Sequence, residues 1–134
     1  MSVSLNLEIA EGFHAKDVFQ VFETIDGVEW GKNEKSSSLY FTHTNTNIFI
    51  EMEPTRKNIM AEDTEDLNWQ VAMRIFFYID LGHHHALDDV KKFIINLSNM
   101  TPILFALSLH FESLYAVRDQ NGLRLMGGFL PNDA

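Results

Sequence analysis

A chain of 134 residues with 46% hydrophobic content is the size of one domain built around one core. Nineteen Asp and Glu against ten Lys and Arg leave a formal charge of −9 and a pI near 4.9, so the summed field repels nucleic acid and anionic membranes alike. The absence of cysteine removes disulfides, thiolate metal sites and cysteine nucleophiles from consideration.

The opening Met1-Ser2-Val3-Ser4 has neither the basic start nor the apolar run of a secretion signal, and no stretch reaches membrane-spanning length. The expectation is a soluble, cytoplasmic protein of bacterial type. Val3, Leu5, Leu7 and Ile9 alternate with Ser4, Asn6 and Glu8, which is the period of a strand with one buried face. From about His14 to Ile25, Val18, Val21, Phe22 and Ile25 form the i, i+3, i+4, i+7 stripe of a helix, and Asp26-Gly27 stops it. A linker through Lys32, Glu34 and Lys35 leads to alternating Leu39, Phe41 and His43, then a turn at Asn45-Thr46-Asn47. Ile48, Ile50 and Met52 alternate again, and Pro54 is expected to end that pairing.

The polar segment Thr55 to Leu67 reads as a loop and holds the acidic run Glu62-Asp63-Thr64-Glu65-Asp66. Trp69, Val71, Met73, Ile75, Phe77 and Ile79 make the longest alternation in the chain, which predicts a central strand. Gly82 and His83-His84-His85 lead into a second helix. Its buried stripe is Leu87, Val90, Phe93, Ile94 and Leu97, its positive end carries Asp88 and Asp89, and Thr101-Pro102 closes it. Phe105, Leu107, Leu109 and Phe111 predict another strand, with a phase shift at Glu112-Ser113 that implies a bulge or bend before Tyr115 and Val117. Asp119-Gln120-Asn121-Gly122 is a hairpin signal, and Leu123 to Leu130 completes the strands.

These elements predict an α+β fold of two tandem βαββ units, residues 2–54 and 68–130, joined by the acidic loop 55–67. Together they would form a curved, largely antiparallel sheet with both helices packed on one side. His14-Ala15 with Asp17 and His85-Ala86 with Asp88 stand at matching helix starts, a hint of duplication.

Chemistry-bearing motifs are scarce. The phosphate-cradling, dinucleotide-binding, zinc-protease and nucleophile-elbow patterns are all missing. His83-His84-His85 offers imidazoles, but consecutive residues at a helix entrance diverge, so an exposed turn is the expected reading and no metal or other cofactor is assigned. His110, placed by alternation with Ser108 and Glu112, suggests either a general base beside a carboxylate or a hydrogen-bonded pair on the sheet surface. If the Trp69–Phe77 alternation faces the helices, the opposite face receives Gln70, Arg74, Phe76 and Tyr78. Tyr40, Phe49, Glu51, Glu53, Ser108, His110 and Glu112 join them. Aromatics mixed with charge suit a recognition surface or a lined cavity, whereas curvature could fold the same face into a second small core.

Two functional readings follow. In the first, the chain is a non-enzymatic binding protein whose acidic surface occupies a basic partner, as immunity proteins do for nuclease toxins in bacteria. Glu51, Glu53, Glu62, Asp63, Glu65, Asp66, Tyr78 and His110 would form the contact, and a homodimer through an edge strand is compatible with it. An acidic phage-encoded inhibitor or a small secretion chaperone would carry the same marks. The second reading takes Val28-Glu29-Trp30 as a strand and the Glu112-Ser113 bend as a break, so that each half reads βαβββ. The closing Arg118-Asp119-Gln120-Asn121-Gly122-Leu123-Arg124-Leu125 then resembles the last hairpin of the vicinal-oxygen-chelate, glyoxalase-like group. That resemblance implies a small-molecule-binding or metal-dependent enzyme. The group places His or Glu ligands on strands facing a shared cleft, and the first strand here has no histidine.

Overall fold

A computed structural model describes residues 2–31, 38–83 and 85–129. The chain runs β1 (Ser2–Ala10), α1 (Ala15–Phe22), β2 (Val28–Trp30), β3 (Ser38–Phe41) and β4 (Thr46–Lys57). It continues through β5 (Val71–Asp80), α2 (Asp88–Met100), β6 (Phe105–Leu109), β7 (Ser113–Asp119) and β8 (Gly122–Leu125), and a 3-10 turn follows at Gly127–Phe129. The strands form one sheet in the order β2-β3-β4-β5-β1-β6-β7-β8, and every neighbouring pair is antiparallel.

The expected α+β class and the antiparallel sheet with two helices on one side are present. Period-two alternation sends Leu5, Leu7 and Ile9 of β1 and Met73, Ile75, Phe77 and Ile79 of β5 to one face, where all are buried. Both helices lay their apolar stripes on that face, Val18, Val21 and Phe22 from α1 and Val90, Phe93, Ile94 and Leu97 from α2. Where the helices meet, Phe22 stacks on Phe93 with ring centroids 4.1 Å apart, and both rings lie over Phe77. Removing such a ring costs about 3–5 kcal/mol, so this aromatic knot anchors the helix layer.

The repeat structure differs from two βαββ units. Each helix is followed by three strands, because Val28–Trp30 pairs with β3 and because residues 110–112 are a tight turn between β6 and β7. His110 and Phe111 adopt left-handed backbone there, with φ of 52° and 62°, and of the bulge or bend expected near Glu112-Ser113 it is a bend, one that reverses the chain and separates two strands. The element order is βαβββ twice, yet the sheet is not symmetric under exchange of the halves. In the first half the last strand, β4, lies beside the central β5–β1 pair, and in the second half it is β6, the first strand after the helix. Local resemblance between the two helix starts therefore does not extend to matching sheet positions.

Three boundaries also shift. Strand β4 continues past Pro54 to Lys57, with a register shift against β5 between Met52 and Lys57 that absorbs the missing donor. Trp69 precedes β5 instead of opening it. The last strand stops at Leu125, since the 3-10 turn packs Phe129 edge-on against Tyr115 with centroids 5.3 Å apart. The linker residues Lys32, Glu34 and Lys35, together with His84 and Leu130, lie outside the described residues. Among the described residues no helix is long and apolar enough to cross a membrane.

Candidate functional site

The side of the sheet away from the helices is built by the other half of each alternation. Strand register places Asn47, Phe49 and Glu51 of β4 beside Tyr78, Phe76 and Arg74 of β5. Those in turn neighbour Ser4, Asn6 and Glu8 of β1, and Ser108 of β6 follows Asn6. Polar and aromatic side chains thus share one surface because the pleat, and not residue type, sorts them.

Half of this face is covered. The segment from Asn58 to Gln70, between β4 and β5, folds back over it as a strap held by Glu8. The Glu8 carboxylate accepts the backbone N–H of Ala61 at 2.9 Å on Oε1 and that of Met60 at 2.8 Å on Oε2. Arg74 donates to the same Oε2 from Nε at 3.3 Å and from Nη2 at 3.2 Å. Its Nη1 reaches Glu53 Oε1 at 3.0 Å, and Nη2 also donates to the Asn58 carbonyl at 3.1 Å. Glu8 is 0% exposed, and Arg74 and Glu53 are each 7% exposed, so this is a buried ionic cluster whose charges are met by hydrogen bonds from both sheet and strap. Farther along, Thr64 Oγ1 closes a turn onto the Ala61 carbonyl at 2.8 Å. The Glu62 N–H donates to the Phe111 carbonyl at 2.8 Å, which ties the strap to the β6–β7 turn.

The other half is open. Phe49 is 51% exposed and Tyr78 40% exposed, their rings meeting edge to face with centroids 5.6 Å apart. Phe76 lies beside them and carries Phe111 edge-on at 6.4 Å. Glu51 is exposed at the border between the two halves. Its carboxyl is raised above the ordinary glutamate value, first by a hydrogen bond with Glu53, then by partial burial and the Glu53 charge, with Arg74 opposing. At the margin of the strap, a cleft of about 340 Å³ is lined in part by Glu65 and Trp69, and the Trp69 ring N–H has no hydrogen-bond partner.

The residues expected from sequence separate into four groups. Glu51 and Tyr78 lie on the open part of the face. Glu62, Asp63, Glu65 and Asp66 are exposed on the strap, which the Glu62–Phe111 bond places on the same side of the sheet. Glu53 is buried against Arg74 and makes no free surface. His110 is not on a strand. It is an exposed turn residue whose N–H donates to the Ser4 carbonyl at 3.1 Å, so its expected alignment with Ser108 and Glu112 fails. Gln70 and Glu112 also fall outside the strands. Of the histidine cluster, His83 Nδ1 accepts the His85 N–H at 3.2 Å, and His85 Nδ1 meets Asp88 at 3.0 Å on an exposed helix entrance. Among the described residues no group of three or more His, Asp or Glu side chains is placed to hold a metal ion.

Glu8 was missed. Alternation marks it as a solvent-facing residue of β1, and its partners lie more than fifty positions away in the chain. With both Glu8 oxygens occupied, this cluster is suited to fastening the strap, and the open aromatic and acidic part is suited to recognition. Comparison with known proteins finds no family model, no curated protein and no solved structure that matches this chain.

Proposed function

We propose that the chain is a non-enzymatic binding protein that seats its acidic, aromatic sheet face on a basic surface of a protein partner, in the manner of an immunity protein neutralising a bacterial toxin. The observation that carries the reading is the placement of half-exposed Phe49 and Tyr78 on the same side of the sheet as Glu51 and the four strap carboxylates. Exposed aromatics supply contact area at low conformational cost, while surrounding carboxylates steer a cationic partner and disfavour anionic ones. A second copy of the chain is disfavoured here, since a two-fold interface would set each acidic patch against itself. If the chain dimerises, an edge strand such as β2 offers backbone pairing without that repulsion.

The test begins with capture of the partner on immobilised protein at low salt and its identification by mass spectrometry, followed by binding kinetics. Association should slow steeply as salt screens charges over about 8–10 Å. Removing the carboxylates of Glu62, Asp63, Glu65 and Asp66 should lower the on-rate, and changes at Tyr78 should raise the off-rate. A partner indifferent to salt and to all these substitutions would refute the reading.

A further inference from the structure

At the border between the covered and open halves of the face, the charge balance singles out one spot. Three carboxylates, Glu8, Glu53 and Glu51, gather around one guanidinium, Arg74. Glu8 and Glu53 occupy that guanidinium from two sides at 3.2 and 3.0 Å. The strap contributes backbone amides to Glu8 and a carbonyl to Arg74. Among the described residues this one guanidinium is shared by Glu8 and Glu53, and the third carboxylate, Glu51, lies at the solvent end of the cluster. A hydrogen bond with Glu53, partial burial and the Glu53 charge raise the affinity of the Glu51 carboxyl for a proton, and a cation placed beside it relieves the same crowding of carboxylates.

Glu51 does not stand alone. Phe49 precedes it by two residues on the same face, about 7 Å away along the strand, and Tyr78 meets the Phe49 ring edge to face. A cation lying on the exposed Phe49 ring thus comes within reach of the Glu51 carboxylate. The ring quadrupole and the carboxylate attract the same charge. Asn47 continues this file and is exposed beside Tyr78, offering an amide oxygen. Tyr40, the next residue outward on the face, has its hydroxyl engaged with Asn45.

We propose that Phe49, Glu51 and Tyr78 form a docking spot for a single arginine side chain of the basic partner, its guanidinium lying on the rings and paired with Glu51. This inference rests on the proposed function and specifies the residue it recognises. Arginine fits better than lysine because a planar, weakly hydrated guanidinium stacks on an aromatic face while its edge donors engage the carboxylate. An ammonium would have to shed a tighter hydration shell to do both.

The probes are N-acetyl-arginine amide and N-acetyl-lysine amide, titrated separately into the 15N-labelled full chain and followed by NMR. The arginine probe should bind in the millimolar range, with shifts centred on Phe49, Glu51 and Tyr78 and an affinity about threefold to fivefold above that of the lysine probe. Phe49→Leu and Glu51→Gln should each weaken it by a similar factor, and Glu23→Gln, exposed at the end of α1 on the helix side of the sheet, should leave it unchanged. Equal binding of the two probes, shifts centred on the strap, or no saturation would overturn the proposal. The two readings also fail separately. A partner protein whose binding is salt-sensitive but blind to Phe49→Leu and Glu51→Gln sinks the arginine spot alone, whereas a partner indifferent both to salt and to the strap and Tyr78 substitutions sinks the broader reading.

Discussion

Under the strap the sheet buries Glu8, Arg74 and Glu53, while four residues along β4 and β5 from Glu53 and Arg74 it leaves Phe49 and Tyr78 half in solvent. This inverts the usual partition of charged and aromatic side chains, and covering explains it. Where the strap lies, its amides and a carbonyl complete the hydrogen bonding of the charges, so they can be dry. Where it does not reach, Phe49 and Tyr78 stay half exposed among the described residues. The buried half should therefore carry more of the stability than the open half, a separation that substitutions can test directly.

The largest effect belongs to Arg74. Arg74→Met leaves the Glu8 and Glu53 carboxylates without their counter-charge in a dry site and should cost about 3–5 kcal/mol in a urea melt. Phe49→Ser, on the neighbouring strand and the same face, removes a half-exposed ring and its contact with Tyr78 and should cost about 1–2 kcal/mol, well below the Arg74 variant. Comparable losses from the two variants would break the comparison.

Glu8→Gln should be milder. The amide retains one carbonyl acceptor for the two strap N–H groups and sets its NH2 against Arg74, so a loss of about 1–3 kcal/mol is expected. The more specific sign is local. Hydrogen exchange at Met60 and Ala61 should accelerate well beyond that at Ile75, whose side chain lies on the helix-covered face. Uniform acceleration across the sheet would mean that the strap and the sheet open together.

A smaller effect is carried by pH at the border between the halves. Because the Glu51 carboxyl is raised in the folded state, the native protein binds that proton more tightly than the unfolded chain, for which the reference value is 4.5. Stability contributed by this group is therefore fully present below 4.5 and is lost as pH rises through the folded value. Glu51→Gln should melt higher than wild type at neutral pH, and the difference should shrink as pH falls toward 4.5. A difference that does not vary with pH would show that the Glu51–Glu53 contact does not hold in solution. The smallest change is expected on the strap surface, where Glu65→Gln and Asp66→Asn should stay within about 0.5 kcal/mol of wild type.

Much of the fold is legible residue by residue. The strand of Leu5, Leu7 and Ile9, the helix stripes of Val18–Phe22 and Val90–Leu97, and the long run Met73–Ile79 all appear where their periods place them, because burial on one face imposes a local pattern. The membership of Phe49, Glu51, Arg74, Phe76 and Tyr78 in one face followed from the same alternation. The extension of β4 beyond Pro54 was less legible, since a strand can accommodate proline where its register shifts. The turn at His110 and Phe111 was hidden because neither residue is a usual turn former, and apolar alternation ran straight through it.

The amino-acid sequence by itself determined the α+β class, the phase of the principal strands and the acidity of the surface, all properties set by neighbours a few residues apart. Tertiary structure alone decided the strand order, the asymmetry between the two halves and the fate of the far face. Glu8 and Glu51 are both acidic residues on polar positions of alternating strands, and nothing local distinguishes them. One is buried and the other exposed because a segment more than fifty residues from Glu8 returns to cover it and stops at Glu51. Burial of a charge depends on donors brought by distant chain, and that long-range contact has no period for a sequence pattern to display.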